Sequence, residues 1–160
     1  MMTLIDKEPV KRVQKILKQF ETNSEVVVLK SSARTALEAA KSLNCEVGAI
    51  VKSLLFKTEQ NFILCLVAGD KKASLNKIKK ILNMKDISMA SADDVKNVTG
   101  FTIGGVSPIG HLNKIEILID LSLKRFDELF AAAGHPNCIF KISFEDLSKI
   151  TNGSIIELVE

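Results

Sequence analysis

The chain has 160 residues, 46% of them hydrophobic and 26% charged, with a formal net charge of +3. That length can bury a core without disulfide or metal staples, and the composition argues against intrinsic disorder. With no Trp, no Tyr and eight Phe, an extended aromatic platform for stacked bases is also disfavoured.

Met1–Val10 carries charges and lacks the apolar core of a secretory leader, so no leader is expected. Pro9 to Phe20 sets Val10, Val13, Ile16, Leu17 and Phe20 at helical spacing, with Pro9 suited to a first turn. Lys11, Arg12, Lys15 and Lys18 lie on the same helix, either as a solvated face or as partners for phosphate. Glu25 to Lys30 is β-branched and extended. In Thr35-Ala-Leu-Glu38 the Thr hydroxyl can satisfy the Glu38 amide while the carboxylate reaches back. This capping box opens an Ala-rich helix ending near Leu43-Asn44.

Ala49 to Lys57 and Asn61 to Ala68 read as strands of an antiparallel hairpin. Alternation puts Ile50, Lys52, Leu54 and Phe56 on one face and Val51, Ser53 and Leu55 on the other. Lys52 therefore interrupts an apolar face. Either its stem snorkels to a rim, or a cleft holds it for a reason. Gly69-Asp70 is a turn. Ser74 can cap a helix from Leu75 to Leu82, Ile87 to Ala90 is a short strand, and Ser91 caps a helix over Ala92 to Val98 that Gly100 ends. Lys71, Lys72, Lys77, Lys79, Lys80 and Lys85 have no acidic residue among them, which again suits a solvated face or phosphate.

Phe101 to His111 is irregular and Gly-rich, and Lys114 to Asp120 is a strand in which Ile115, Ile117 and Ile119 alternate with Glu116 and Leu118. Over Leu121 to Ala133 local propensity favours a helix, broken by Gly134-His135-Pro136-Asn137. Cys138 to Ile142 is a strand, Ser143 caps a helix to about Ile150, and Ile155 to Val159 is a last short strand. Hairpins mixed with helices predict an α+β fold with a mixed sheet, as a single domain over residues 1–160.

Cys45, Cys65 and Cys138 are widely spaced in apolar stretches, which suits buried thiols in a reducing cytoplasm. No apolar run approaches the roughly 20 residues of a bilayer span. His111 and His135 form no credible zinc site with those cysteines, and phosphate-loop, nucleophile-elbow and dinucleotide motifs are missing. No metal or cofactor is expected. Three glycines and a proline between Gly104 and Gly110 make a loop poor in side chains. It is either a tight turn or a surface of backbone amides aimed at a ligand.

The chain resembles the YbaK and prolyl-tRNA synthetase editing-domain family of aminoacyl-tRNA deacylases from Thr35 to about Leu158. The matching stretches are the Ala-rich helix, Ile50-Val-Lys-Ser-Leu-Leu55, Ala68-Gly-Asp70, Thr99-Gly-Phe101, the loop Gly104-Gly-Val-Ser-Pro108 with Gly110-His111, Ile119-Asp120, and Ala132-Ala-Gly-His-Pro-Asn137. Their shared order carries the likeness. It implies a curled mixed sheet flanked by helices, with the substrate ester between the Lys52 strand and the glycine loop.

The resemblance further implies a cytoplasmic trans-editing hydrolase that removes a small wrong amino acid from tRNA, with mischarged tRNA for proline as the expected substrate. Lys52, Gly104 and Gly105 would be catalytic, Lys52 as a cation that holds the terminal adenosine's phosphate or orients the aminoacyl end. Ser53, Val106, Ser107, Pro108, Gly110 and Gly134 would meet the substrate, while Lys71, Lys72, Lys77 and Lys80 are candidate tRNA contacts. Water activated with help from the substrate would supply the base, without a metal. Prolyl-tRNA synthetase is a candidate partner and a monomer is favoured. The alternative is a catalytically silent module that binds tRNA or a synthetase. Departures from the family leave the amino acid open among cysteine, alanine, serine and threonine. Residues 131–133 are all alanine where some relatives carry serine, Ser53 stands where threonine also occurs, and the context of His135-Pro136 gives His135 no catalytic role.

Overall fold

The computed structural model describes residues 3–160; Met1 and Met2, the start of the segment expected to hold no leader, lie outside the described residues. Helix α1 (Glu8–Gln19) has Pro9 in its first turn and buries Val10, Val13 and Leu17. Four shorter helices follow, α2 (Ala36–Leu43), α3 (Leu75–Leu82), α4 (Ala92–Thr99) and α5 (Phe144–Thr151). They open at Thr35, Ser74, Ser91 and Ser143, whose hydroxyls accept from the amides of Glu38, Lys77, Asp94 and Asp146. Each cap replaces a lost intrahelical partner. The Glu38 carboxylate reaches back to the amide of Arg34 at 3.2 Å, one residue beyond the cap.

Among the described residues, eight strands form one mixed sheet. They are β1 (Val26–Val28), β2 (Ile50–Lys57), β3 (Phe62–Ala68), β4 (Ser88–Met89), β5 (Glu116–Asp120), β6 (Leu129–His135), β7 (Cys138–Ile142) and β8 (Ser154–Ile156). The order is β1-β7-β6-β2-β3-β5-β8, with β4 added to β2. The sheet is open, as in the curled α+β arrangement expected.

Alternation along β2 and β3 feeds two cores. Val51, Leu55, Leu64, Leu66 and Ala68 pack with Val10, Val13, Leu17, Phe101 and Ile109. Phe56, Ile63, Cys65 and Val67 face Ile78, Leu158 and Val159 on the other side, and Ile50 meets Ala39 and Ala40 of α2. Cys65 and Cys138 are buried and Cys45 half-buried. Burial pushes the Cys65 thiol up to about 12.

One element differs from expectation. Leu121–Ala133 is not a helix: a 3-10 turn over Leu121–Arg125 leads into β6. Leu129, Ala131 and Ala133 are each buried, a period of two, and Ala131 pairs with both Val51 and Phe140. Pairing on both edges outweighs the helical preference of alanine. The strand continues through Gly134, whose φ is +92°, with a register shift between Ala132 and His135.

Candidate functional site

Strand β2 carries two partners on the edge away from β3. Parallel β6 pairs with Ile50 and Val51, and antiparallel β4 pairs with Phe56 and Lys57. Toward β3, the Gly69 amide donates to the Ile50 carbonyl and the Thr58 amide to the Asn61 carbonyl. Even-numbered residues of β2 thus turn their main chain to β3 and odd-numbered ones turn away. Accordingly the Leu55 carbonyl accepts from Ala90. Ser53, the odd-numbered residue between the two pairings, faces no strand there.

A cavity of about 350 Å³ occupies this gap. Its walls come from α2, β2 between Ile50 and Leu55, the loop at Ile103, Gly104 and Val106, and Phe130 to Ala132 of β6. That volume suits a small-molecule site, and an apolar lining with a few polar groups is the usual construction.

Two adjacent polar residues of β2, Lys52 and Ser53, on its opposite faces, line the cavity. The Ser53 hydroxyl is buried without a hydrogen-bond partner. Lys52 is half-buried, and its Nζ donates to the Lys71 carbonyl at 2.6 Å. Burial pushes the Lys52 ammonium below the usual lysine range, and the charge of Asp70 opposes that shift. Asp70 is itself held by Arg125 through two bonds of 2.7 and 3.0 Å, which keeps its carboxyl below the usual range. The Arg125 guanidinium lies 4.9 Å from the Phe126 ring centroid, and Phe126 covers Gly48 so closely that a Cβ there would come within 2.7 Å.

The glycine loop is fixed from outside. Arg12 donates to the carbonyls of Gly110 at 3.0 Å and Gly100 at 2.9 Å, and its guanidinium sits 5.1 Å from the Phe101 centroid. This member of the first basic set is therefore a clamp across the loop. The His111 ring nitrogen meets the Ser107 carbonyl at 2.7 Å. Gly105 donates to the Thr102 carbonyl and accepts from the Gly134 amide. Among the described residues, the amides of Gly104 and Val106 meet no protein acceptor.

Of the residues expected at the site, Lys52, Ser53, Gly104 and Val106 line the cavity. Gly105, Ser107, Pro108, Gly110 and Gly134 do not. Gly105 packs against the main chain of Gly134 and His135, and Gly134 against Pro9. Ser107 is fully buried, and Pro108 and Gly110 border a separate hollow beside α1 and α5. Lys77 is tied to Glu157 at 2.8 Å and the Val159 carbonyl at 2.7 Å. Lys72 stands 3.9 Å from Glu160, while Lys80 is exposed and Lys71 half-buried. Sequence reasoning missed Arg34 and Thr35, which line the cavity ahead of α2, and the Asp70–Arg125 pair. No local pattern marks Arg34; the turn at Asp70 is visible in sequence, its partner 55 positions on is not.

The profile of the aminoacyl-tRNA editing domain matches residues 30–150, which include every wall of the cavity. The chain belongs to that family. It is 32% identical over 142 residues to the uncharacterized protein YwhH of Bacillus subtilis (strain 168), covering 88% of this chain and 90% of that one. It is 31% identical over 123 residues to the proline–tRNA ligase of Kosmotoga olearia, covering 77% of this chain but 20% of the ligase. The editing domain thus spans about a fifth of that ligase's length. A crystal structure of a candidate trans-editing enzyme for prolyl tRNA synthetase superposes with a TM-score of 0.90 at 35% identity, covering 96% of this chain and 98% of that one. Among the described residues, no helix of this editing domain is long and apolar enough to cross a membrane.

Proposed function

We propose that this editing domain is a free-standing cytoplasmic deacylase that hydrolyses the ester between a small amino acid and the 3′ end of mischarged tRNA, with tRNA for proline as the body. The observation that carries the reading is the gap in the sheet, where Lys52, Ser53, Gly104 and Val106 surround one cavity. Water attacks the ester carbonyl carbon, and the bond to the ribose oxygen breaks. The products are the free amino acid and a tRNA with its hydroxyl restored. The main-chain amides of Gly104 and Val106, unused by the protein, are donors for the oxygen that gains charge in the transition state. Lys52 orients the substrate as a cation. Water, activated with help from the substrate itself, then supplies the base. An aminoacyl ester is already activated, and positioning with charge stabilisation suffices.

Discrimination follows from size. One methylene in an apolar pocket is worth only about 1–3 kcal/mol, so a synthetase cannot reject close analogues by binding alone. A second, narrow cavity provides the complementary sieve. The test is a panel of tRNAs charged with cysteine, alanine, serine or threonine. At least one is expected to be deacylated, with Lys52→Ala reducing the rate by about 10²-fold. Salt-sensitive tRNA binding without turnover would favour the silent binding module.

A further inference from the structure

Arg12 ties down both ends of the glycine loop from outside it. Its Nε donates to the Gly110 carbonyl at 3.0 Å and its Nη2 to the Gly100 carbonyl at 2.9 Å. Gly100 and Gly110 have φ of +81° and +78°. A Cβ at Gly100 would run into Arg12 Nη2, and one at Gly110 would meet the Arg12 main chain at 3.2 Å. The loop is therefore bare at the two points where the arginine crosses it. Helix α1 holds the middle of the loop by a second route. Its Pro9 packs on Gly134, and the Gly134 amide donates to the Gly105 carbonyl at 3.1 Å. Arg12 is half-buried, whereas Lys11, Lys15 and Lys18 on the same helix are exposed. It also lies ahead of residue 30, where the match to the editing-domain profile begins.

Gly104 and Val106 line the cavity, and a main-chain donor stabilises an oxyanion only when its N–H is aimed at the place the charge will occupy. The aim of a loop is set by what fixes its ends. Ties inside this loop are short: Gly105 donates to the Thr102 carbonyl, the Ile109 amide to the Ser107 hydroxyl, and the His111 ring meets the Ser107 carbonyl. They shape the loop without anchoring its ends to the rest of the protein. We propose that Arg12 is a positioning residue for deacylation, pinning Gly100 and Gly110 so that the amides of Gly104 and Val106 keep their aim. The inference rests on the deacylase reading for its reaction. Arg12 acts through the loop and not on the substrate. Its planar fork can join two carbonyls at one spacing, whereas a lysine is a point charge on a flexible stem.

Three measurements test it. Hydrolysis by the wild type, Arg12→Ala and Arg12→Lys is compared on charged tRNA and on an aminoacyl-adenosine ester. Arg12→Ala is expected to lower kcat about tenfold on both esters while KM stays within about twofold, with Arg12→Lys in between. Ile78→Ala, in the separate core beneath α3, is a variant of lowered stability and is expected to keep its kcat where it stays folded. Binding of uncharged tRNA over a salt series is expected to keep its slope in Arg12→Ala. A loss confined to charged tRNA, or a slope flattened by about 0.7, assigns Arg12 to the nucleic acid and overturns the positioning role. An equal loss of kcat in Ile78→Ala overturns it as well. Amide hydrogen exchange reads the clamp without catalysis: in Arg12→Ala the Gly105 amide is expected to speed up about tenfold more than that of Cys65 in β3. Equal changes at the two amides contradict the clamp. Should Arg12→Ala not fold, Arg12→Lys carries the same comparisons. A wild type that hydrolyses no ester overturns the deacylase reading instead, and the exchange rates still decide the clamp.

Discussion

Lys52 Nζ donates to the carbonyl oxygen of Lys71 at 2.6 Å, which anchors the ammonium to the turn that also carries Asp70. The cation is thus placed by main chain and tuned by a carboxylate that Arg125 holds in its own pair of bonds. On the proposed reading Lys52 stays charged although half-buried and meets substrate although the charge of Asp70 acts on it. Arg125 reconciles these demands by occupying Asp70.

Asp70→Asn should move the alkaline limb of the deacylation profile to lower pH. Burial lowers the Lys52 ammonium and Asp70 opposes the shift. A role that needs the ammonium is present below its folded pKa and lost as pH rises through it. Without the carboxylate that loss comes earlier. A pH–rate profile, corrected for spontaneous ester hydrolysis, checks it; a limb that stays or rises contradicts the prediction.

Arg125→Ala should act in the opposite sense. The released carboxylate turns to Lys52, raises its pKa and competes with substrate for the charge. The limb moves to higher pH, while kcat/KM falls about fivefold, the equivalent of ~1 kcal/mol. Steady-state kinetics on charged tRNA at several pH values separate this from simple unfolding, which would not shift the limb.

Gly105→Ala and Gly104→Ala should differ in thermal stability. At Gly105 a Cβ would stand 2.9 Å from the His135 amide nitrogen and 3.0 Å from its Cα. Backbone cannot yield as a side-chain tip can, so a destabilisation of about 1–3 kcal/mol is expected. At Gly104 the nearest atoms are side-chain carbons at 3.4 Å or more, and the cost is the φ of +93° alone, about 1–2 kcal/mol. Deacylation by Gly105→Ala should drop further than its stability implies, because the displaced loop carries the amides of Gly104 and Val106. Equal melting temperatures and equal rates for the two variants would refute the distinction.

Ala132→Val should narrow the set of amino acids removed. Ala132 is half-buried on the cavity wall, and added methyl groups take volume from the ligand. Each is worth about 1–3 kcal/mol in such a pocket. The ratio of kcat/KM for alanyl- over threonyl-tRNA should rise about tenfold or more; a constant ratio would place the amino acid elsewhere.

Much of this molecule is legible in its sequence because the signals are local. Thr35, Ser74, Ser91 and Ser143 sit where a free amide must be met, and the period of two in Ile50–Phe56 marks both faces of β2. Lys52 and the glycine loop stand out as a charge on an apolar face and a loop without bulk. What escapes a reading of the sequence depends on partners distant along the chain. Ala131 to Ala133 carry helical propensity, and only Val51 and Phe140 on either side make them a strand. Gly105 and Gly134 have the look of surfaces for substrate, yet each is small because another main chain passes against it. Arg34 has no local signature, since its neighbours Gly104 and Pro136 are brought to it by the sheet.

The gap in the sheet is framed by peptide backbone: β6 and β4 hold the two ends of one edge of β2, and side chains only upholster the space between. Changing that lining leaves the strand pairings in place. On the proposed reading, substrate preference can therefore drift by single substitutions at lining positions such as Ala132 with the strand pairings kept. An unpaired stretch of strand, ordinarily a hazard for sticking to other chains, is turned inward as a template on which successive specificities can be written.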